Sequence, residues 1–96
     1  MKLSVGLITF NEEKNIARTL DSILEIANEI IIVDSGSTDR TLEIAKKYNA
    51  AIFSERWKGY GKQKNSVIDK CNGEWILLID ADEEISRRLS KKILDI

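Results

Sequence analysis

A chain of 96 residues has room for one small domain, which buries roughly 60–65% of the surface its unfolded chain would expose. Its 43% hydrophobic and 32% charged residues are those of a globular protein and exclude a disordered one. A net charge of −1, with acids and bases interspersed, leaves no broad basic field and argues against nucleic acid as a partner. With no His and one Cys, both a zinc site of the usual kind and a disulfide framework are excluded.

In chain order, Leu3 to Thr9 is short, apolar and β-branched, predicting a first strand. The segment around it, Met1 to Ile8, lacks the long apolar stretch of a signal peptide. Glu13 to Ala27 carries Ile16, Leu20, Ile23, Leu24 and Ala27 at helical spacing. Glu29 to Val33 predicts a second strand. Asp39 to Tyr48 predicts a second helix on Leu42, Ala45 and Tyr48, with Ser37 or Thr38 as its N-cap. Ala50 to Ser54 is a weaker third strand. Lys62 to Cys71 predicts a third helix, stopped by Asn72-Gly73, with Cys71 on its apolar face. Glu74 to Ile79 is the most apolar run and predicts the fourth strand. Ser86 to Ile96 predicts a last helix on Leu89, Ile93 and Leu94. It has no closing turn, so the chain reads as the N-terminal part of something longer.

Near-continuous apolar runs predict strands covered on both faces. Strand-helix alternation predicts an α/β, Rossmann-like domain with a mostly parallel four-stranded sheet, right-handed crossovers and flanking helices. The strand order consistent with a crevice at the carboxyl ends is 3-2-1-4. No run is long enough to cross a bilayer. The lone Cys71 fits a reducing, cytoplasmic compartment. Peripheral attachment at the inner face of the membrane is compatible with the composition, and nothing in the pattern sets an oligomeric state.

The polar clusters all fall at predicted strand ends. Asp80-Ala81-Asp82-Glu83 follows the fourth strand directly. Two carboxylates one residue apart beside apolar surface repel each other and lose hydration, and a divalent cation removes both costs. Oxygen donors suit Mg²⁺ or Mn²⁺, and Mg²⁺ binds through one or two carboxylates plus substrate phosphates. Asp80 and Asp82 are therefore the metal candidates, and Asp80 is also a ribose candidate. Asp34 closes the second strand, about two strand spacings (~10 Å) from Asp80, a gap a nucleoside diphosphate can bridge. It is read as an acceptor for a nucleobase N–H or a ribose hydroxyl. Thr9, Asn11 and Glu12 follow the first strand and are nucleotide-site candidates; as an alternative, Glu12 caps the following helix. Arg56 to Asn65, rich in basic and aromatic residues, reads as a solvated loop or as a segment over the diphosphate in which Lys62 or Lys64 offsets charge. Trp57 reads as an anchor for its own loop. Neither G-x-G-x-x-G nor a P-loop is present.

Taken together, Leu7-Ile8-Thr9-Phe10-Asn11-Glu12-Glu13, Ile32 to Thr41, Lys64-Asn65 and Gly73 to Glu83 resemble the family 2 glycosyltransferases of the GT-A fold. The likeness is to the bacterial branch that builds lipopolysaccharide core and other envelope glycans. This resemblance implies a nucleotide-sugar donor, often a UDP-sugar, and a glycan or lipid-linked saccharide acceptor. It implies Asp80-Ala81-Asp82 as the D-x-D motif, with Asp82 the direct ligand of Mg²⁺ or Mn²⁺ and Asp80 the ribose contact. It implies Asp34 beside uracil or ribose and Lys64 near phosphate. Ser35 stands where many relatives have a second acid, and Lys64 where many have Arg. The reaction implied is inverting transfer of a hexose, with a general base in a following half of the domain, so residues 1–96 are expected to bind nucleotide without turnover. Two other enzyme or signalling readings remain at this point: a phosphatase with D-x-D as nucleophile, and a non-catalytic, Mg²⁺-binding receiver-like or nucleotide-binding regulatory module.

Overall fold

The structure is a computed structural model and describes residues 2–96. Four strands alternate with four helices: β1 (Leu3–Thr9), α1 (Ile16–Ile23), β2 (Glu29–Asp34), α2 (Thr41–Lys46), β3 (Ala51–Ser54), α3 (Tyr60–Lys70), β4 (Trp75–Leu78) and α4 (Arg87–Leu94). The sheet has order β3-β2-β1-β4 and every pairing is parallel. That is the predicted α/β arrangement.

The alternation of β1 and β2 sorts their side chains onto two layers. Leu3, Val5, Leu7, Ile30 and Ile32 point to one face, where they pack with Ile16, Leu20 and Ile23 of α1, Ala45 of α2, and Ala81 and Ile85. Ile31 and Val33 point to the other, against Val67 of α3. Gly6 lies where α3 crosses β1, and a Cβ there would stand 2.3 Å from Val67 Cγ1. The close helix–strand approach therefore requires glycine at this position.

Three expectations are corrected. β4 is an edge strand with Trp75, Ile76 and Leu78 at 55%, 40% and 36% exposure, so it is not covered on both faces. The first helix is shorter than Glu13 to Ala27, running from Ile16 to Ile23, and before it the Glu12 and Glu13 N–H groups donate to Thr41 Oγ1 (2.8 Å) and Asp39 Oδ2 (3.2 Å). The cap of α2 is supplied by Asp39, whose carboxylate accepts from the Thr41 N–H at 2.9 Å. Ser37 and Thr38 are engaged elsewhere. Among the described residues no helix is long and apolar enough to cross a membrane.

Candidate functional site

Parallel pairing sends the carboxyl ends of all four strands to one edge. There a pocket of about 600 Å³ is lined by Ile8, Thr9, Phe10, Glu12, Ser35, Trp57, Tyr60, Asp80, Ala81 and Asp82. Of the residues singled out from sequence, Thr9, Glu12, Asp80 and Asp82 meet in this pocket. Lys64 lines a small adjoining crevice that shares Asp80.

Asp34 and Asn11 take different places. Asp34 is 1% exposed. Its Oδ1 accepts from Thr9 Oγ1 at 2.7 Å and Ser37 Oγ at 2.5 Å; its Oδ2 accepts from the Gly36 and Ser37 N–H groups at 3.0 and 2.8 Å. A carboxylate offers about four lone-pair sites, and all are used inside the protein. Gly36, at φ 95°, turns the chain so that its N–H reaches that carboxylate. Asn11 is in the left-handed region at φ 51°. Its N–H donates to Ser37 Oγ and its Oδ1 accepts from the Thr38 N–H, both at 2.8 Å. The segments after β1 and β2 are thus closed onto each other by side chains of both. Asp39 belongs to the same closure. Burial works to raise its carboxyl, but hydrogen bonds from Thr41 and the Glu13 N–H outweigh that and hold it below the ordinary value.

The D-x-D segment is a tight turn. The Asp80 C=O accepts from the Glu83 N–H at 3.0 Å, and the Asp80 N–H donates to Glu83 Oε1 at 2.7 Å. Ala81 and Ile85 anchor it in the core at 5% and 9% exposure. Thr19 Oγ1 donates to the Ala81 C=O at 2.8 Å, and Ser22 Oγ accepts from the Ile85 N–H at 3.0 Å. The turn is therefore pinned to α1 while the carboxylates of Asp80 and Asp82 stand exposed. Neither enters an ion pair among the described residues. No group of three or more Asp, Glu, Cys or His there forms a self-sufficient metal cage. Two free carboxylates fit a hard cation whose other ligands are waters and phosphate oxygens.

Part of the lining is aromatic. Trp57 and Tyr60 meet edge to face, with centroids 4.8 Å apart and planes at 88°. Trp57, Tyr60 and Phe10 remain 50%, 70% and 55% exposed. Trp57 lines the pocket as well as packing on Tyr60 of its own segment. That segment is held from beneath by Gln63, which is fully buried. Gln63 Oε1 accepts from the Lys58 N–H at 3.1 Å, and its Nε2 donates to the Glu55 C=O at 3.4 Å. Glu55 bonds the ammonium groups of Lys58 at 2.8 Å and Lys70 at 2.7 Å. These two cations and the Ser66 hydroxyl lower its pKa to about 2. Phe10 and Ser35 were not singled out for the site from sequence, and Trp57 and Tyr60 were reached only as part of the Arg56 to Asn65 segment. The available signal was an exposed type of aromatic placed among Gly, Lys and Ser at a strand's carboxyl end.

A four-stranded parallel sheet of order β3-β2-β1-β4 with an acidic turn and a pocket at the strand ends is the arrangement of the GT-A fold. The family model described as "Glycosyl transferase family 2" matches residues 4–96, and the chain belongs to that family. It is 45% identical over 92 residues to an uncharacterized glycosyltransferase of Rickettsia typhi, covering 96% of this chain and 32% of that protein. It is 38% identical over 94 residues to the lipopolysaccharide core biosynthesis glycosyltransferase LpsC of Rhizobium meliloti, covering 93% and 34%. Among solved structures it superposes on S. aureus TarS 1-349 in complex with UDP-GlcNAc with a TM-score of 0.79 and 31% identity, covering 99% of this chain and 30% of that one. Against glucosyl-3-phosphoglycerate synthase of Mycobacterium tuberculosis, in complex with Mn²⁺, UDP and glucosyl-3-phosphoglycerate, the TM-score is 0.73 at 28% identity, covering 86% and 35%. The chain thus spans about a third of the length of the relatives it matches.

Proposed function

We propose that this chain is the donor-binding part of an inverting hexosyltransferase that takes a nucleotide-sugar, a UDP-sugar in the first instance. The acceptor proposed is a saccharide or a lipid-linked envelope glycan. The observation that carries the reading is the pair of unpaired carboxylates, Asp80 and Asp82, in a pocket also lined by Phe10, Trp57 and Tyr60. The family match supports it, as do the UDP complexes of two structural neighbours and the Mn²⁺ in one of them.

Asp82, with Asp80, would hold Mg²⁺ or Mn²⁺, and the ion when bound supplies positive charge to offset that on the diphosphate leaving group. Asp80 lies between the large pocket and the crevice that Lys64 lines, so Lys64 adds a second positive charge on the phosphate side. The base end of the donor lies toward β2 and β3, against Phe10, Trp57, Tyr60 and Ser35. Flat exposed rings there bury the faces of a nucleobase. Thr9 and Asn11 act through the wall, Thr9 by bonding Asp34 and Asn11 by bonding Ser37 and Thr38. Asp34 accordingly is a positioning residue and not a direct base contact. Glu12 stays in the pocket lining as a candidate for a donor hydroxyl. Activation of the acceptor hydroxyl is assigned to none of these residues, and donor binding without sugar transfer is what they support.

Thermal unfolding with UDP, GDP and ADP, each with Mn²⁺, tests the donor class. At a hundredfold excess over Kd, a ligand stabilises the fold by about 2.7 kcal/mol, which for a domain of this size raises Tm by roughly 10–20 °C. The reading requires the largest rise with UDP. Equal rises with all three nucleotides would remove the uridine preference, and no rise with any would remove donor binding.

A further inference from the structure

We propose that the outer face of α4 docks on a membrane surface rich in anionic phospholipid headgroups. Arg87 and Lys91 stand four residues apart, as do Arg88 and Lys92, so the four cations form two adjoining columns on one side of the helix. The other side faces inward: Ser90 is 6% exposed and Ile93 packs on the core.

This cationic face works against its own helix. Like charges at i,i+4 repel. Arg87 and Arg88 also occupy the first turn, which holds no acid, where the helix dipole disfavours positive charge. Elsewhere Arg18, Arg40, Lys58 and Lys70 each meet a glutamate, and the remaining basic residues outside α4 are not gathered as four on one short helix. Among the described residues none of the four α4 cations enters an ion pair. Their exposure leaves an external anionic surface as the partner that matches them in charge and extent. Leu89 on the flank is 45% exposed and adds an apolar contact at the headgroup boundary.

The helix follows the acidic turn of the pocket directly in the chain. Ser86 caps it by accepting from the Leu89 N–H at 3.1 Å, four residues beyond Asp82, and Ala81 and Ile85 are tied to α1. Docking of α4 brings the acidic turn that precedes it toward the lipid surface, where a lipid-linked acceptor would present its saccharide. In that last respect the inference rests on the donor-site reading; the docking itself does not.

The test is flotation of the 96-residue chain with vesicles of phosphatidylcholine alone, or of phosphatidylcholine mixed with phosphatidylglycerol, at low and high salt. Each basic residue near an anionic leaflet contributes about a fivefold gain in partitioning, and salt screens it. Binding to the mixed vesicles alone is expected, falling in high salt. The variant Arg87→Gln/Arg88→Gln/Lys91→Gln/Lys92→Gln should lose about 10²- to 10³-fold. It should fold at least as well as the parent, since it removes repulsion, and should keep its UDP affinity. A Lys46→Gln/Lys47→Gln variant, altered at exposed cations at the end of α2, should float like the parent. Equal binding to both vesicle types would overturn the proposal. So would full binding by the fourfold variant, or displacement from mixed vesicles by inorganic phosphate at constant ionic strength, which would indicate a free-phosphate site. UDP binding read in parallel separates failure of the docking surface from failure of the donor site.

Discussion

Replacement of Asp34 distinguishes a scaffold role from a ligand role. Its carboxylate is 1% exposed and accepts from Thr9, Gly36 and twice from Ser37. In Asp34→Asn one oxygen becomes an NH₂ that faces donors, so two of the four acceptances are lost and the charge assistance of the rest goes with it. Hydrogen bonds to charged groups contribute about 1.5–3 kcal/mol each, and buried donors left unpaired cost about 1–3 kcal/mol. Part of that cost is relieved by rotation of the Thr9 and Ser37 hydroxyls, so a net loss of about 3 kcal/mol is expected. That is a large fraction of the ~5–14 kcal/mol available to a domain of this size. Urea denaturation followed by circular dichroism reads it as a lower midpoint. Thr9→Val should cost about 1 kcal/mol, and the Thr9/Asp34 double-mutant cycle should show coupling of about 1 kcal/mol. A loss below about 0.5 kcal/mol for Asp34→Asn, with UDP binding abolished, would refute the scaffold argument and return Asp34 to the base.

Two further outcomes follow from the aromatic loop. The pKa of Glu55 is lowered from 4.5 to about 2, so its pairing with Lys58 and Lys70 is fully stabilising above pH ~4.5 and is lost as pH falls toward about 2. The stability difference between the chain and Glu55→Gln should therefore be constant from neutral pH down to about 4.5 and vanish near 2; a difference that persists unchanged in acid would contradict the ion-pair assignment. UDP should quench tryptophan fluorescence through Trp57, which lines the pocket, while Trp75 begins β4 at the far end of the sheet. The quench should survive Trp75→Phe and disappear in Trp57→Phe; the reverse pattern would move the base away from this wall.

The fold was legible because the strands announce themselves. The Ile30–Val33 run is too apolar to face water on both sides, and the helical stripe of Ile16, Leu20 and Ile23 covers one of its faces. The same logic overreached for β4, since a continuous apolar run signals a buried strand only where the covering layers are present. The acids of the turn after β4 were legible as a site from charge beside apolar surface. The closure of the segments after β1 and β2 was not, because each bond joins residues 25 to 29 positions apart. Asp34 as a strand-end acid reads the same in sequence whether it meets a base or four internal donors; only packing separates the two. The pocket-facing side of Trp57 was not legible for a related reason: its packing on Tyr60 fits an anchor, while its place in the lining depends on how the segment sits over buried Gln63.

The central claim is that Asp82 and Asp80 hold a divalent cation that in turn holds the diphosphate. Calorimetric titration of UDP into the chain, with and without Mn²⁺ and repeated on Asp82→Ala, tests it most directly. The account requires binding that depends on Mn²⁺ and is lost in the variant while its unfolding midpoint stays unchanged. Equal heats with and without the metal, or an Asp82→Ala variant that binds UDP as the parent does, would contradict it.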